Sequence, residues 1–430
     1  GTLIQYLLDN SASDGFILKV GDLSLSAAQS KVNNHPNSVA FEFSIDNLEQ
    51  REKEIQNADL VISLLPPALH IIAAHDCVRF KKNLVTASYV SEEIQSLNEK
   101  SIEADILLLN ECGLDPGIDH MSAMEIIHRI KNDGGEITSF KSYTGGLVAP
   151  ESNDNPWGYK FTWNPRNVIV AGQGTAKYIS NGNYKYIPYQ RLFSEIEKIA
   201  VDGYGEFDGY ANRDSLSYRK VYELENIPTL LRGTLRYQNY CTAWQVFVTL
   251  GLTDDSYKIE NSENLTFAQI TEALLPSKLK GNSIEEKVAA LCKLDSNGTI
   301  MNMISYAGIF ESIKTNFKNA SPAQVLQHLL EQRWVLKEGD KDMIVMQHEF
   351  CYQLNDRTHN LTSEIIVLGN DGVHTAMAKT VGLPLGIAAK MILNNTIQLK
   401  GLHIPIHPEI YEPVLQELQL YGIRFSEYHN

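Results

Sequence analysis

Leu107-Leu-Leu-Asn110-Glu111-Cys112-Gly113-Leu114-Asp115-Pro116-Gly117-Ile118-Asp119-His120-Met121 runs an apolar strand straight into a cluster of carboxylates, glycines and a proline, after which an amphipathic helix begins. An open α/β sheet places its chemistry at such strand ends, because side chains there project into the crevice beyond the carboxyl edge. Gly and Pro also serve turn geometry alone. Three carboxylates packed into nine residues are more than a turn requires.

Upstream of this stretch the chain alternates. Strands are predicted at 16–20, 39–43, 60–65, 84–87 and 106–110, with helices at 25–32, 48–58, 68–80 and 92–104 between them. That order is the signature of an α/β, Rossmann-like, doubly wound parallel sheet. A dinucleotide-binding domain of this type opens with a strand and a Gly-rich turn that meets the pyrophosphate at a helix N-terminus. No G-x-G-x-x-G is present, and Gly1-Thr2-Leu3-Ile4-Gln5-Tyr6-Leu7-Leu8 reads as the helix that would follow such a turn. The expectation is a dinucleotide-binding domain whose first strand and phosphate loop are missing from this chain.

Downstream the pattern changes. A helix is predicted at 121–131, strands at 136–143, 221–224 and 229–237, and an irregular polar-aromatic segment at 150–164, the composition of a functional loop. Residues 243–334 read as mostly helical, with helices at 266–275, 284–292 and 322–332. Strands at 342–354 and 360–368 pair around Asn355-Asp356-Arg357, and a long apolar helix covers 372–393. The expected division is a dinucleotide-binding domain at 1–117, completed by about 372–430, and an α+β substrate and dimerisation domain at 118–371. The second domain carries a helical insertion at about 243–334.

Composition narrows the functional classes. The chain has 430 residues, 43% hydrophobic and 21% charged, and a formal net charge of −15. So much negative charge argues against nucleic acid and anionic membranes as partners. Five dispersed cysteines without a C-x-x-C pair read as reduced thiols in a cytoplasmic protein. No apolar run long enough to span a membrane is evident. A small-molecule substrate and a homodimer are expected.

Several residues suit a dinucleotide and an anionic substrate. Leu65-Pro66 and Ser88-Tyr89 each follow a sheet strand and so border the same crevice as Asp115. Asp22 ends the strand at 16–20. A carboxylate there accepts a hydrogen bond from a ribose 2′-hydroxyl and repels a 2′-phosphate, favouring NAD over NADP. In the second half Arg213 lies in Asn212-Arg213-Asp214, and Arg232 and Arg236 flank Gly233-Thr234-Leu235. The two-residue strand period puts Arg232 and Arg236 on one face, where planar guanidinium groups match substrate carboxylates. Metal and nucleophile motifs are lacking. His70 and His75 do not share a helix face, His403 and His407 straddle Pro405, and Cys112 has no nearby histidine to mark it as a nucleophile.

The run from Asn110 to His120 resembles that of the glutamate-forming saccharopine dehydrogenases (saccharopine reductases). So do Asn212-Arg213-Asp214, Gly233-Thr234-Leu235-Arg236, and Gly145-Gly146-Leu147-Val148-Ala149-Pro150-Glu151-Ser152-Asn153-Asp154-Asn155-Pro156-Trp157-Gly158-Tyr159-Lys160-Phe161. The resemblance implies oxidation of the secondary amine of saccharopine with NAD (NADP is possible), giving L-glutamate and 2-aminoadipate 6-semialdehyde. It implies that Ser88, Tyr89, Asp115 and Arg213 border substrate and nicotinamide, and that Thr234 and Arg236 bind substrate. Asp115 and Tyr89 are the candidates for proton handling. Asp22, Leu65, Pro66, Ser88 and Asp115 are the candidates for cofactor binding, and no metal is implied. Two other readings stay open: a carboxynorspermidine-type C–N dehydrogenase of polyamine metabolism, and a non-catalytic ligand-binding relative.

Overall fold

Short runs of branched and aliphatic residues, which suit a pleated and covered surface, build the first parallel strands. The computed structural model describes residues 1–171 and 173–429. Strand β1 (Leu18–Asp22) pairs in parallel with β2 (Ser38–Glu42). Strands β3 (Leu60–Ile62), β4 (Asn83–Val85) and β5 (Leu107–Leu109) form a second parallel set, which Gly401–His403 extends beyond β5. Among the described residues no ladder joins the two sets. Helices Leu25–Val32, Leu48–Gln56 and His70–Phe80 fall between successive strands, the crossover that parallel pairing needs. The alternation is as expected: β1 and β2 have the predicted length with shifted ends, and β3, β4 and β5 are shorter than predicted. Ser63 to Pro66 lies in the loop after β3, and the helix predicted at 92–104 is two, Glu92–Gln95 and Asn98–Glu103.

The second sheet is mixed. It contains β6 (Glu136–Val148), β7 (Thr175–Ser180), β8 (Asn183–Pro188), β9 (Ile196–Val201), β10 (Gly205–Ala211), β11 (Thr229–Tyr237), β12 (Asp342–Leu354) and β13 (Arg357–Leu368). With Gly401–His403 counted as β14, β15 is Ser426–His429, and the order is β15-β13-β12-β6-β11-β10-β9. The pair β6–β11 is parallel and the other ladders along that path are antiparallel. The predicted strand at 221–224 does not form. Tyr222 and Leu224 instead bury themselves from a helical turn, Tyr218–Val221, with Tyr222 N–H donating to Tyr218 and Leu224 N–H to Arg219. Apolar residues at alternate positions satisfied two kinds of burial, and the turn won.

One apolar cluster joins the two sheets. Leu3 of helix Thr2–Asp14 and Val85 and Leu107 of the parallel strands pack in the same core as Phe140, Ile344 and Phe350 of the mixed sheet. Helix Ile118–Asn132 is buried along most of its length in this core. Helix Ala376–Leu393 lies against helix Thr2–Asp14, and Gly382 permits the approach, since a Cβ there would meet the Leu3 nitrogen at 2.9 Å. By length and apolarity that helix could cross a membrane, contrary to the expectation that no apolar run is long enough, and 67% of it is buried within the fold. The end of the chain serves both sheets: β14 extends the first, whereas β15 pairs with β13 of the second. The helical insertion packs around a separate cluster that includes Trp157, Trp244 and Trp334.

Candidate active site

The stretch after β5 is held by backbone bonds from several directions. Asn110 N–H donates to the His403 carbonyl at 3.0 Å, Glu111 N–H to Ser88 at 3.0 Å and Cys112 N–H to Thr86 at 3.1 Å. Gly113 to Gly117 then forms a closed turn, with Gly113 N–H on the Pro116 carbonyl and Ile118 N–H returning to Gly113. Gly117 has φ of 148°, and a Cβ there would sit 2.0 Å from the Gly113 carbonyl oxygen. No other residue fits that position. The turn carries Asp115 and launches helix Ile118–Asn132, whose first residues include the buried Asp119 and His120.

These residues build a buried ionic cluster. Arg232 Nη2 lies 2.7 Å from Asp115 Oδ1 and 2.6 Å from Asp119 Oδ2, and its guanidinium stacks 4.2 Å over the Tyr218 ring. His120 Nε2 is 2.9 Å from Glu111 Oε2, and its Nδ1 is 2.8 Å from the Tyr222 hydroxyl. Burial raises the Asp115 pKa and is only partly opposed by Arg232, while the neighbouring Asp119 charge adds to the rise. Burial pushes Asp119 the same way but is outweighed by His120, Arg232 and the Gly117 N–H, which leave it below the usual carboxylate range. Two carboxylates on one guanidinium are thus pushed apart, Asp119 to the more acidic side and Asp115 to the more basic. The Tyr89 hydroxyl donates to Asp115 Oδ1 at 3.4 Å, and burial followed by that carboxylate keeps the phenol protonated.

Arg232 and Arg236 share a face of β11, as the strand period predicts, yet they do different work. Arg232 is paired with Asp115 and Asp119. Arg236 is 5% exposed and has no carboxylate partner among the described residues. It lies 5.1 Å over the Tyr159 ring and 5.4 Å over Tyr240, donates to the Leu235 carbonyl at 2.8 Å, and leaves Nε unpaired. A buried cation with an open donor, boxed by aromatic rings, is a site for an anion. Arg213 is exposed, with φ of 47° and its guanidinium 5.2 Å over the Tyr89 ring. The three predicted residues Tyr89, Asp115 and Arg213 are therefore neighbours.

The remaining predicted residues are placed as follows. Ser88 lies beside Tyr89 in the loop after β4, its carbonyl accepting from Glu111 N–H. Thr234 stands opposite Thr144 of β6 and Tyr210 of β10. Leu65 and Pro66 follow β3. Asp22 ends β1, exposed, with Oδ1 accepting from Ser24 N–H at 2.9 Å and Oδ2 left for another partner. The sequence reading did not single out Asp119, Glu111, His120, Tyr222, Thr144, Tyr159 or Tyr240 as functional. Glu111, Asp119 and His120 stood in the opening stretch and signalled themselves by polarity inside an apolar run. The tyrosines reach the site only through the fold.

Three buried polar atoms near these residues lack partners: Asn110 Oδ1, the Thr144 hydroxyl and Arg236 Nε. Buried polar groups are nearly always paired, so each of these orphans is a place where a bound ligand could complete the bonding. The carboxyl ends of β3, β4 and β5 with Ser88 and Asn110, and the open carboxylate at the end of β1, fit a dinucleotide laid along that edge.

The fold is that of a two-domain α/β protein of the dinucleotide-binding oxidoreductase type, with a second, mixed sheet that carries Arg232 and Arg236. Residues 2–109 match the family model described as saccharopine dehydrogenase NADP binding domain, and residues 113–423 that of the saccharopine dehydrogenase C-terminal domain. The chain belongs to the saccharopine dehydrogenase family. It is 32% identical over 413 residues to saccharopine dehydrogenase [NADP(+), L-glutamate-forming] of Schizosaccharomyces pombe, covering 94% of this chain and 91% of that protein. It is 37% identical over 390 residues to the mitochondrial alpha-aminoadipic semialdehyde synthase of Bos taurus, covering 88% of this chain and 41% of that protein. The structure of apo saccharopine dehydrogenase (L-Glu forming) from Saccharomyces cerevisiae superposes with a TM-score of 0.90 at 31% identity, over 100% of this chain and 98% of that one. A homospermidine synthase from Legionella pneumophila, at 8% identity and a TM-score of 0.53, shares the fold.

Proposed function

We propose that this protein oxidises the secondary amine of saccharopine to an imine and hydrolyses it to L-glutamate and 2-aminoadipate 6-semialdehyde. The observation that carries the reading is Arg236, a buried guanidinium without a carboxylate of its own among the described residues, taken with the grouping of Tyr89, Asp115 and Arg213. Saccharopine brings three carboxylates. One of them on Arg236 and another near Arg213 would fix the amine beside Asp115.

When bound, a nicotinamide dinucleotide accepts the hydride from the carbon next to the amine. Hydride leaves readily only from a neutral amine, so Asp115 takes the amine proton first. Arg232 holds that carboxylate in place through Oδ1, and Tyr89 donates to the same oxygen. Water then adds to the imine carbon, and the protonated Asp115 returns its proton to the nitrogen that leaves with glutamate. For the dinucleotide, the Asp22 carboxylate argues for NAD over NADP, since a 2′-phosphate beside it would meet like charge. The fungal relatives named for NADP(+) make that preference a point to measure.

A polyamine precursor fits poorly, because carboxynorspermidine brings one carboxylate and several ammonium groups, so one of Arg213 and Arg236 would face positive charge. A non-catalytic relative would bind saccharopine without turnover. Dinucleotide reduction by the protein with saccharopine or carboxynorspermidine, with products identified by mass, separates the three. Glutamate formed from saccharopine supports the reading, and turnover of carboxynorspermidine alone, or of neither, ends it.

A further inference from the structure

Ser88 is pinned through its backbone on three sides. Its N–H donates to Thr86 Oγ1 at 3.3 Å, and its carbonyl accepts from Glu111 N–H at 3.0 Å and Asn110 Nδ2 at 3.4 Å. The freedom left is the rotation of its hydroxyl. Across the strand ends, that hydroxyl lies 2.7 Å from His70 Nε2, and His70 Nδ1 lies 2.7 Å from Ser63 Oγ. The chain Ser63–His70–Ser88 therefore joins the end of β3, the first turn of helix His70–Phe80 and the end of β4. His70 is 3% exposed and Ser63 4%, so water is kept from the Ser63–His70 bond, while Ser88 is half-buried at the open end of the chain.

We infer that His70, supported by Ser63, is a positioning residue that sets the hydrogen-bonding polarity of the Ser88 hydroxyl toward bound substrate and dinucleotide. The inference rests on the proposed placement of Ser88 at the reacting end of the crevice. A neutral imidazole, which burial favours here, has one N–H and one lone pair. With the proton on Nδ1, His70 donates to Ser63 and accepts from Ser88, whose oxygen then turns lone pairs to the crevice. With the proton on Nε2, His70 donates to Ser88, whose O–H is then free to donate outward. Either arrangement fixes one polarity, and removing the imidazole frees the rotor. A histidine that merely braces the loops would act on stability without acting through Ser88.

A double-mutant cycle separates these roles. His70→Ala, Ser88→Ala and the pair are compared by kcat/KM for saccharopine, by affinity for the reduced dinucleotide and by thermal midpoint. The inference expects His70→Ala to lower at least one of the first two by about tenfold in the native background and by less than about twofold when Ser88 is already alanine. His70→Gln, which restores an amide able to reach Ser88, should recover part of the loss. Additive effects in both functional readouts, or losses that follow the thermal midpoint alone, overturn it. If the native protein turns over no saccharopine, the proposed function fails on its own, and the cycle is decided by dinucleotide affinity.

Discussion

Asp115 concentrates the account at the scale of single residues. A carboxylate raised by burial must lose its proton before it can accept one from the amine. The acid limb of kcat/KM should therefore report an apparent pKa above the usual carboxylate value of about 3.9. Arg232 opposes the rise, so Arg232→Met should move that limb to still higher pH as well as lowering the rate. A limb that stays put in this variant would remove Arg232 from the control of Asp115. His348 gives a stability prediction with a definite sign. Burial lowers its pKa to about 4, and its Nε2 lies 2.8 Å from Ser122 Oγ. Unfolded, it takes a proton near pH 6.5, so stability should be full above that value and fall as pH drops toward 4. Over that window the loss is at most roughly 3 kcal/mol. Urea midpoints measured between pH 7 and 4.5 should show this slope in the native protein and a shallower one in His348→Gln.

Gly117 decides matters at the scale of elements, because the turn from β5 into the following helix places Asp115, Asp119 and His120 together. Gly117→Ala would put a methyl group into the Gly113 backbone. The turn must open, at a cost of about 3 kcal/mol or more in stability and with loss of activity. A urea midpoint unchanged from native would contradict the geometry. This element was readable in advance, since its strand, its glycines and its carboxylates are contiguous. The hairpin β7–β8 was not read, although Asn181-Gly182, both at positive φ, is a strong two-residue turn signal. Its flanking strands, Thr175–Ser180 and Asn183–Pro188, mix lysine, tyrosine and serine without a clean apolar face, and that obscured it. The false strand at 221–224 failed for the opposite reason, an apolar alternation that a turn could also bury.

Function at the scale of the whole molecule depends on what separate segments bring to one crevice. Glu111 meets His120 across nine residues, but Asp115 meets Arg232 across more than a hundred, and Tyr159 meets Arg236 through a loop from another part of the chain. Composition and motif indicated an arginine site for an anion. Which arginine is already neutralised, and which is open, could be learned only from the fold. Cofactor choice belongs to this scale too. The dinucleotide edge carries Asp22 without an adjoining arginine, and kcat/KM should favour NAD by roughly tenfold, which needs about 1.4 kcal/mol. Asp22→Ser should narrow that gap. Equal constants, or a higher one for NADP, would withdraw the role of Asp22 and leave the fold untouched.

The central claim is that Arg236 waits for a substrate carboxylate, and the most direct test is the kinetics of Arg236→Met with saccharopine. Loss of a buried guanidinium–carboxylate contact should cost about 2–4 kcal/mol in binding. The Michaelis constant for saccharopine should therefore rise by well over tenfold while affinity for the dinucleotide is unchanged. A Michaelis constant equal to that of the native protein would contradict the account.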